Sequence, residues 1–296
     1  MRLVRYRLDG EARLGALAAD GGAEAVHDLG LPADPLPWLR RIARDGQVQL
    51  AALRTAAAAG RMVGRLEVLE AAGALLAPIE ASEVWAAGVT YRASRDARDR
   101  EQRATTSGSS PYDRVYVAAR PELFLKATPW RVVPPGGRIG LRGDARLTVP
   151  EPEVGLVLDD DGRILGYTLG NDVTARDIEG ANPLSLPQAK IFQGACAIGP
   201  AILVAGAAQP GGFAICCTVE RHGGTVWEGR THTSDMRRGF GDLVAHLRAH
   251  NPLRPGAVLL TGTGAVPPDD FGLRPGDQVS ITTPTVGTLR NIAVRV

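Results

Sequence analysis

The chain has 296 residues, of which 34 are basic and 32 are acidic, so its formal net charge at pH 7 is only +2. This length allows a large hydrophobic core in one or two domains. The balanced charge, without any run of basic residues, argues against nucleic acid or an anionic membrane as the main partner.

Residues 1–80 are predicted to form a small α+β domain. Short alternating strands occupy residues 1 to about 28, and apolar residues at helical spacing follow at 36–43 and 47–58. No long apolar run follows the alternating start of the chain, so neither a secretory signal nor a membrane span is predicted. No catalytic constellation is evident here, and we expect this part to support a larger domain.

Residues 81–296 are predicted to form the catalytic domain. Many short apolar strands separated by Gly, Pro and Asp turns favour a closed or rolled β-architecture with the site on its rim. A charged helix is predicted within 91–104, and the Ser- and Gly-rich residues 105–110 are expected to be mobile, as in a lid. The best amphipathic helix is predicted to be capped by Ser234 and to run to His250.

Cysteine and lysine are both rare. Cys196, Cys216 and Cys217 lack C-x-x-C spacing and are predicted to be buried thiols in a reducing cytoplasm. Lys126 and Lys190 are the only lysines among the 34 basic residues. Because arginine cannot release its proton, we expect lysine where a titratable ammonium is needed. Two incidental surface lysines are the competing interpretation.

Three acidic residues form the main candidate site. In an extended strand Glu151 and Glu153 point to the same face, and the turn at 160–162 returns the chain so that Asp172 comes back beside them. Like charges this close require a cation or a proton between them, and hard oxygen ligands suit Mg²⁺, Mn²⁺ or Ca²⁺. An edge strand with solvated acids is the alternative that the Glu-x-Glu pattern leaves open.

From Gly88 onward the chain resembles the fumarylacetoacetate hydrolase superfamily. The stretches that carry the resemblance are Glu-Pro-Glu-Val-Gly at 151–155, Gly-Tyr-Thr-Leu-Gly-Asn-Asp-Val-Thr-Ala-Arg-Asp at 166–177, Leu-Thr-Gly-Thr-Gly at 260–264 and Gly-Thr-Leu-Arg-Asn at 287–291. The resemblance implies an α+β fold with a mixed β-roll, and a homodimer or homotetramer. It also implies that Glu151, Glu153 and Asp172 hold a divalent metal, Mg²⁺ or alternatively Mn²⁺.

The chain departs from the hydrolases of that superfamily at one motif. Those enzymes often carry Tyr-x-x-His-x-x-Glu, whose His and Glu activate water, but here Ser94 and Ala97 occupy the two positions after Tyr91. The chain is more similar to the 2-keto-3-deoxy-D-arabinonate dehydratase branch, through Arg-Pro-Glu-Leu-Phe at 120–124, Leu-Pro-Gln-Ala-Lys at 186–190 and further stretches at 88–98, 112–116, 177–184 and 266–271.

The similarity to that branch implies roles for individual residues. Glu122, Lys190 and Thr288 match the residues with catalytic duties, and the substrate contacts are expected from Ser94, Arg95, Lys190 and Thr263. We expect Glu122 and Lys190 to share the proton transfers, with the pKa of Lys190 lowered towards neutrality by a nearby metal or by burial. Which of the two takes the proton is left open by the sequence.

The function predicted from these features is a metal-dependent dehydratase that acts on a small 2-keto-3-deoxy sugar acid through enolate formation and loss of the C4 hydroxyl. A hydrolase or decarboxylase of acylpyruvates or oxaloacetate is the first alternative, because it would share the metal and the enolate chemistry. A ligand-binding relative without catalysis is the second, and the complete set of Glu151, Glu153, Asp172 and Lys190 argues against it.

Overall fold

The computed structural model describes residues 1–103, 111–206 and 211–296. The segment 105–110, for which mobility was predicted, lies outside the described residues. The helices are α1 (Leu36–Asp45), α2 (Gln47–Ala59), α3 (Leu66–Ala71), α4 (Arg92–Arg103), α5 (Pro111–Val117), α6 (Arg176–Ala181), α7 (Leu186–Lys190) and α8 (Phe240–Arg248). None of these described helices has the length and apolar content needed to cross a membrane.

Strands dominate the structure. They are β1 (Arg2–Leu8), β2 (Glu11–Asp20), β3 (Ala23–Leu31), β4 (Met62–Arg65), β5 (Leu75–Leu76), β6 (Val84–Gly88), β7 (Glu122–Ala127), β8 (Val132–Val133), β9 (Arg138–Leu141), β10 (Thr148–Val149), β11 (Pro152–Leu158), β12 (Ile164–Asp172), β13 (Thr174–Ala175), β14 (Cys196–Val204), β15 (Ala214–Arg221), β16 (Gly224–His232), β17 (Ala257–Leu260), β18 (Gln278–Thr283) and β19 (Gly287–Arg295).

Two large sheets pack against each other. The larger follows the order β4-β3-β2-β1-β14-β12-β11-β17-β6-β7, with β5 beside β1 and β8 beside β14, and the smaller follows the order β16-β15-β18-β19-β9. Every residue of β11 is buried, because this central strand is covered on both faces. Leu156 of β11 shares one core with Ile215, Ile281 and Leu289 of the smaller sheet. The predicted mixed α+β architecture is confirmed.

The N-terminal segment is joined to the larger sheet by hydrogen-bonded strands. Strand β1 pairs with β14, so that Leu3 lies opposite Ile202, and Leu3 belongs to a core that also contains Val157 and Leu260. Both predicted N-terminal helices are present as α1 and α2. A sheet and a core therefore cross residue 80, and the division into two domains there stays a prediction.

The predicted helix start at Ser234 is wrong, and tertiary contacts explain the difference. Helix α8 begins at Phe240, whereas Ser234 lies in a single 3₁₀ turn. The intervening chain is held extended because Arg237 N–H donates to the Thr90 carbonyl and Met236 pairs with Tyr91. Helix α6 begins at Arg176, since residues 174–175 pair with β10 as strand β13.

The shared core predicts the unfolding behaviour of the chain. Leu3 is fully buried, so Leu3→Ala is expected to lower the free energy of unfolding by about 2–5 kcal/mol and to keep one cooperative transition. Urea unfolding followed by far-UV circular dichroism measures both. Leu184→Ala is the matched control because that side chain is 87% exposed. A separate early transition in the Leu3 variant would contradict a shared core.

Candidate active site

The β11–β12 hairpin brings three carboxylates together. Pro152 pairs with Asn171 and Glu153 with Gly170, and the Asp172 amide donates to the Glu151 carbonyl at 3.0 Å. One carboxylate oxygen from each of Glu151, Glu153 and Asp172 lies within 4.8 Å of the others, and all three residues are buried. The predicted convergence of these acids is confirmed, and the alternative of solvated acids on an edge strand is wrong.

The turn after β17 fixes the orientation of Glu153. The backbone N–H of Gly262 donates to Glu153 Oε2 at 2.6 Å. Gly262 has φ +88°, and a Cβ at this position would lie 2.0 Å from the Thr90 hydroxyl. Only glycine therefore allows the turn, its approach to Thr90 and the donor to Glu153 at the same time.

Three cations from three different elements balance the negative charge of the Glu151 carboxylate. Its Oε1 accepts hydrogen bonds from Arg98 of α4 and Arg176 of α6, both at 2.7 Å, and its Oε2 accepts from Lys190 at 2.5 Å. All four side chains are at most 7% exposed. Burial raises the pKa of Glu151, and the positive charges of Lys190 and Arg98 oppose this shift. The three hydrogen bonds hold the carboxylate in place from several directions.

Both lysines of the chain are buried beside Asp172. Lys190 Nζ donates to Asp172 Oδ2 at 3.0 Å and to the Thr174 hydroxyl at 2.8 Å, and Lys126 Nζ lies 2.6 Å from Asp172 Oδ1. The interpretation that the lysines are incidental surface residues is therefore wrong. The expectation that lysine is kept where a titratable ammonium is needed stays a prediction.

The charges around Lys190 also correct the expected direction of its pKa shift. Burial alone would lower the pKa of Lys190, but the negative charges of Asp172, Glu151 and Glu179 outweigh burial and raise this pKa well above its usual value. The lowered pKa that was expected for Lys190 is wrong, because its carboxylate neighbours are closer and more numerous than the sequence revealed. Lys190 therefore stays protonated beside these carboxylates.

Glu122 is the site carboxylate whose pKa lies near neutrality. It begins β7 beside Gly88, where a Cβ would lie 2.0 Å from Glu122 Oε2. Burial, followed by the negative charge of Glu179, raises the pKa of Glu122 to about 7, although the positive charges of Lys190 and Arg98 oppose the shift. A carboxyl group with this pKa exchanges protons readily near neutral pH.

The three converging carboxylates fit a divalent cation. Burial, with the negative charges of Asp172 and Glu151, raises the pKa of Glu153 well above its usual value, which shows that these oxygens repel one another. Three buried hard oxygen donors of one sign form a ligand set for Mg²⁺ or Mn²⁺. Binding such a cation would relieve the repulsion between the carboxylates and displace the proton that Glu153 retains because of its raised pKa.

The acids, Lys190 and Glu122 line one small cavity. Its volume is about 20 Å³, and its walls also include Val89, Ser94 and Thr263. This volume accommodates roughly one water molecule. Val89 has φ +53°, which is costly for a β-branched residue and places strained backbone in the cavity wall.

The structure places the predicted substrate-binding residues differently. Ser94, Lys190 and Thr263 line the cavity, and the Ser94 hydroxyl donates to the Tyr91 carbonyl at 2.8 Å. Arg95 does not line this cavity; its guanidinium is paired with Asp96 and stacks over the Tyr116 ring, 5.1 Å from the centroid. The guanidinium of α4 that reaches the acids is Arg98.

The proposed catalytic threonine needs a correction. Thr288 lies in β19 of the smaller sheet, its hydroxyl is 3.0 Å from that of Thr282, and it lines a different surface pocket with Glu24 and Arg290. The structure therefore does not bring Thr288 to Glu122 and Lys190. Thr263 is the threonine that lines their cavity, because the β17 turn, and not β19, approaches the acids.

Three further residues belong to the site but are not among the predicted catalytic, substrate-binding or metal-binding residues: Arg98, Arg176 and Glu179. Glu179 Oε2 lies 3.4 Å from Arg98 Nε and 3.6 Å from a guanidinium nitrogen of Arg176. Helical spacing indicates Arg98, since Tyr91, Ser94 and Arg98 follow each other at three and four residues and all three are buried. Arg176 and Glu179 are likewise three residues apart on α6.

Comparisons with known proteins agree with the resemblance seen in the motifs. The family model described as fumarylacetoacetate (FAA) hydrolase C-terminal matches residues 83–294. A protein of Haloferax volcanii named "Probable 2-keto-3-deoxyxylonate dehydratase" is 47% identical over 215 residues, covering 72% of this chain and 73% of that protein. The 2-dehydro-3-deoxy-D-arabinonate dehydratase of Saccharolobus solfataricus is 44% identical over 213 residues, covering 72% of each.

A solved structure is similar to this chain over its whole length. It is described as 2-keto-3-deoxy-D-arabinonate dehydratase complexed with magnesium and 2,5-dioxopentanoate. It superposes with a TM-score of 0.81 and 34% sequence identity, covering 100% of this chain and 99% of that one.

The acidic cluster predicts how the protein binds a divalent cation. Glu153→Gln is expected to weaken Mn²⁺ binding more than about 10-fold, because one anionic oxygen donor is lost. Wild-type affinity is expected to fall as pH decreases, since the raised pKa of Glu153 lets protons compete with the cation. Isothermal titration calorimetry measures both effects. Glu228→Gln, an exposed glutamate paired with Arg230, should bind as the wild type does; equal affinity in the Glu153 variant would contradict the site.

Proposed function

From the fact that this chain belongs to the fumarylacetoacetate hydrolase family, we propose that it is a Mg²⁺-dependent dehydratase of a 2-keto-3-deoxypentonate such as 2-keto-3-deoxy-D-arabinonate, with 2,5-dioxopentanoate as product. The observation that carries the proposal is the single cavity in which three buried acidic ligands meet Lys190 and Glu122. Two relatives at 44–47% identity that are named as dehydratases of such acids support it.

The substrate has an acidic C3–H bond next to the C2 keto group and a hydroxyl on C4. Mg²⁺ held by Glu151, Glu153 and Asp172 would supply Lewis-acid polarisation of the keto group, which acidifies the C3 hydrogens. The protein has to remove one of these hydrogens as a proton and to protonate the departing C4 hydroxyl. Both transfers need groups with different proton affinities in the same cavity.

Glu122 is the group suited to take the C3 proton. Its pKa of about 7 leaves a substantial fraction ionised at neutral pH while making the carboxylate more basic than an exposed glutamate. Gly88 leaves the room that the Glu122 carboxylate occupies at the cavity wall. We therefore assign the role of general base to Glu122.

Lys190 is the complementary acid. Its raised pKa keeps the ammonium protonated, and its contacts to Glu151, Asp172 and Thr174 fix the nitrogen at the cavity wall. From there the ammonium would donate to the departing C4 hydroxyl, which leaves as water. The double bond between C3 and C4 then moves towards C5 as a hydrogen passes from C5 to C3, and the resulting enol becomes the aldehyde of 2,5-dioxopentanoate.

The hydrolase alternative is disfavoured by the residues of α4. Where the hydrolases carry a water-activating His and Glu, this chain has Ser94, whose hydroxyl is committed to the Tyr91 carbonyl, and Ala97, which is buried. Elimination requires no activated water, so these replacements are compatible with dehydration. A ligand-binding protein without catalysis would not need a carboxyl group with a pKa near 7, Glu122, beside an ammonium that stays protonated, Lys190.

We also propose a cytoplasmic location and a homodimeric or homotetrameric assembly. The three free cysteines are compatible with a reducing compartment. Trp130, at 76% exposed, together with exposed Ile292 and Val296 supports an assembly that covers apolar surface.

A substrate screen tests the proposed reaction. The wild type with Mg²⁺ is expected to convert 2-keto-3-deoxypentonates to 2,5-dioxopentanoate, detected by proton NMR, and to leave acylpyruvate intact. Lys190→Met and Glu122→Gln should each lower kcat by roughly 10²–10⁴-fold because each removes one proton transfer. Arg92→Gln, which alters the same helix at an exposed position, should retain activity. Cleavage of acylpyruvate without dehydration would overturn the proposal.

The pH dependence of kcat/KM tests the role of Glu122. A general base must be deprotonated, so the rate should rise with pH through a limb near pH 7, the pKa of Glu122. Glu179→Gln removes a negative neighbour that helps to raise this pKa, so the limb should move to lower pH. A limb that stays in place or moves to higher pH would exclude Glu122 as the titrating base.

A further inference from the structure

Lys126 is buried within the active-site cluster but does not line the cavity. It is 1% exposed and is absent from the cavity wall that includes Lys190. Its side chain ends on the far side of Asp172, where Nζ lies 2.6 Å from Oδ1, while Lys190 approaches Oδ2 from the cavity side at 3.0 Å. The two lysines of the chain therefore hold the two oxygens of one carboxylate.

The ammonium of Lys126 makes two hydrogen bonds and one ion pair. It donates to the carbonyl of Val173 at 2.9 Å and to the carbonyl of Lys190 at 2.6 Å, and it forms an ion pair with Asp172 Oδ1 at 2.6 Å. These contacts fix the Lys126 nitrogen outside the cavity wall, where it is poorly placed to exchange a proton with a substrate, whereas Lys190 lines the cavity.

These contacts join three elements that each carry a site group. Lys126 is on β7, four residues after Glu122, at the irregularity where Trp85 pairs with Leu125 and Val84 with Ala127. Asp172 ends β12, and Lys190 ends α7, where its carbonyl needs a donor from outside the helix. A single ammonium therefore links the strand of the base, the strand of a metal ligand and the helix of the acid.

We propose that Lys126 is a positioning residue, which sets the orientation of Asp172 towards the cation and the position of Lys190 towards the substrate. This inference deepens the proposed function and rests on it for the effect on turnover, but its effect on cation binding is independent of the substrate. In this role Lys126 neither contacts the substrate nor transfers a proton.

If Lys126 only neutralised charge, its removal would have the opposite effect on the affinity for a divalent cation. If Lys126 served only to offset the charge of Asp172, its removal would leave the acids more negative and would tighten the binding of a divalent cation. If Lys126 positions the carboxylate, its removal frees Asp172 to turn and weakens binding. Partners of metal ligands typically contribute about 10–100-fold to metal affinity or activity.

The test compares Mn²⁺ affinity, measured by calorimetry without substrate, with kcat for the dehydration. Lys126→Met preserves most of the side-chain volume and removes the ammonium, whereas Lys126→Arg keeps the charge but cannot reproduce three contacts from one nitrogen. We expect both variants to bind Mn²⁺ about 10–100-fold more weakly and to lose kcat to a similar extent. Arg221→Met is the matched control, because it removes the cation partner of another buried carboxylate, Asp277, outside the cavity wall; it should keep wild-type affinity.

Unchanged or tighter Mn²⁺ binding by the Lys126 variants would overturn the positioning role, as would full retention of affinity by Lys126→Arg. If Lys126→Met does not fold, the Lys126→Arg variant carries the test with the same criteria. A wild type that binds Mn²⁺ but does not dehydrate any pentonate would refute the proposed function alone. The affinity comparison would still decide the role of Lys126.

Discussion

The structure depends on compensating a group of buried charges at one place. Five carboxylates of the described residues meet there, and the four cations that face them are Arg98, Lys126, Arg176 and Lys190. Removing an ion from water is costly, and leaving one partner of a buried pair alone is more costly still. The elements that deliver these cations, α4, α6, α7 and β7, are therefore fixed around the β11–β12 hairpin by the same contacts that build the site.

The parts of the site that obey local rules were predictable from the sequence. Strand alternation placed Glu151 and Glu153 on one face, and the hairpin turn returned Asp172 to them, because both depend on residues close in the chain. The composition also singled out Lys126 and Lys190, although it gave no distinction between them. The structure supplies that distinction: one nitrogen lies at the cavity wall and the other lies behind a ligand.

The parts that depend on distant pairings were not predictable. Arg98 approaches Glu151 across 53 residues and Arg176 across 25, and no local pattern identifies Glu151 as their shared partner. The same limitation reversed the expected pKa shift of Lys190, since its carboxylate neighbours come from separate elements. The family resemblance implied a catalytic role for Thr288, which lies in the smaller sheet, whereas Thr263, predicted as a substrate contact, lies in a turn that reaches the acids only in the folded chain.

The charge count of the cluster also bears on the order of binding. If every group carried its full charge, the five carboxylates of Glu122, Glu151, Glu153, Asp172 and Glu179 would exceed the four cations by one negative charge. Burial and the neighbouring negative charges raise the pKa of Glu153, so that a proton offsets this excess in the cation-free site. A divalent cation that displaces the proton leaves one excess positive charge, which a monoanionic keto acid neutralises. Without the cation, no excess positive charge would offset an anionic substrate that enters the low-dielectric interior. The arrangement of these residues therefore favours the cation binding first, with the keto acid following as the counter-charge.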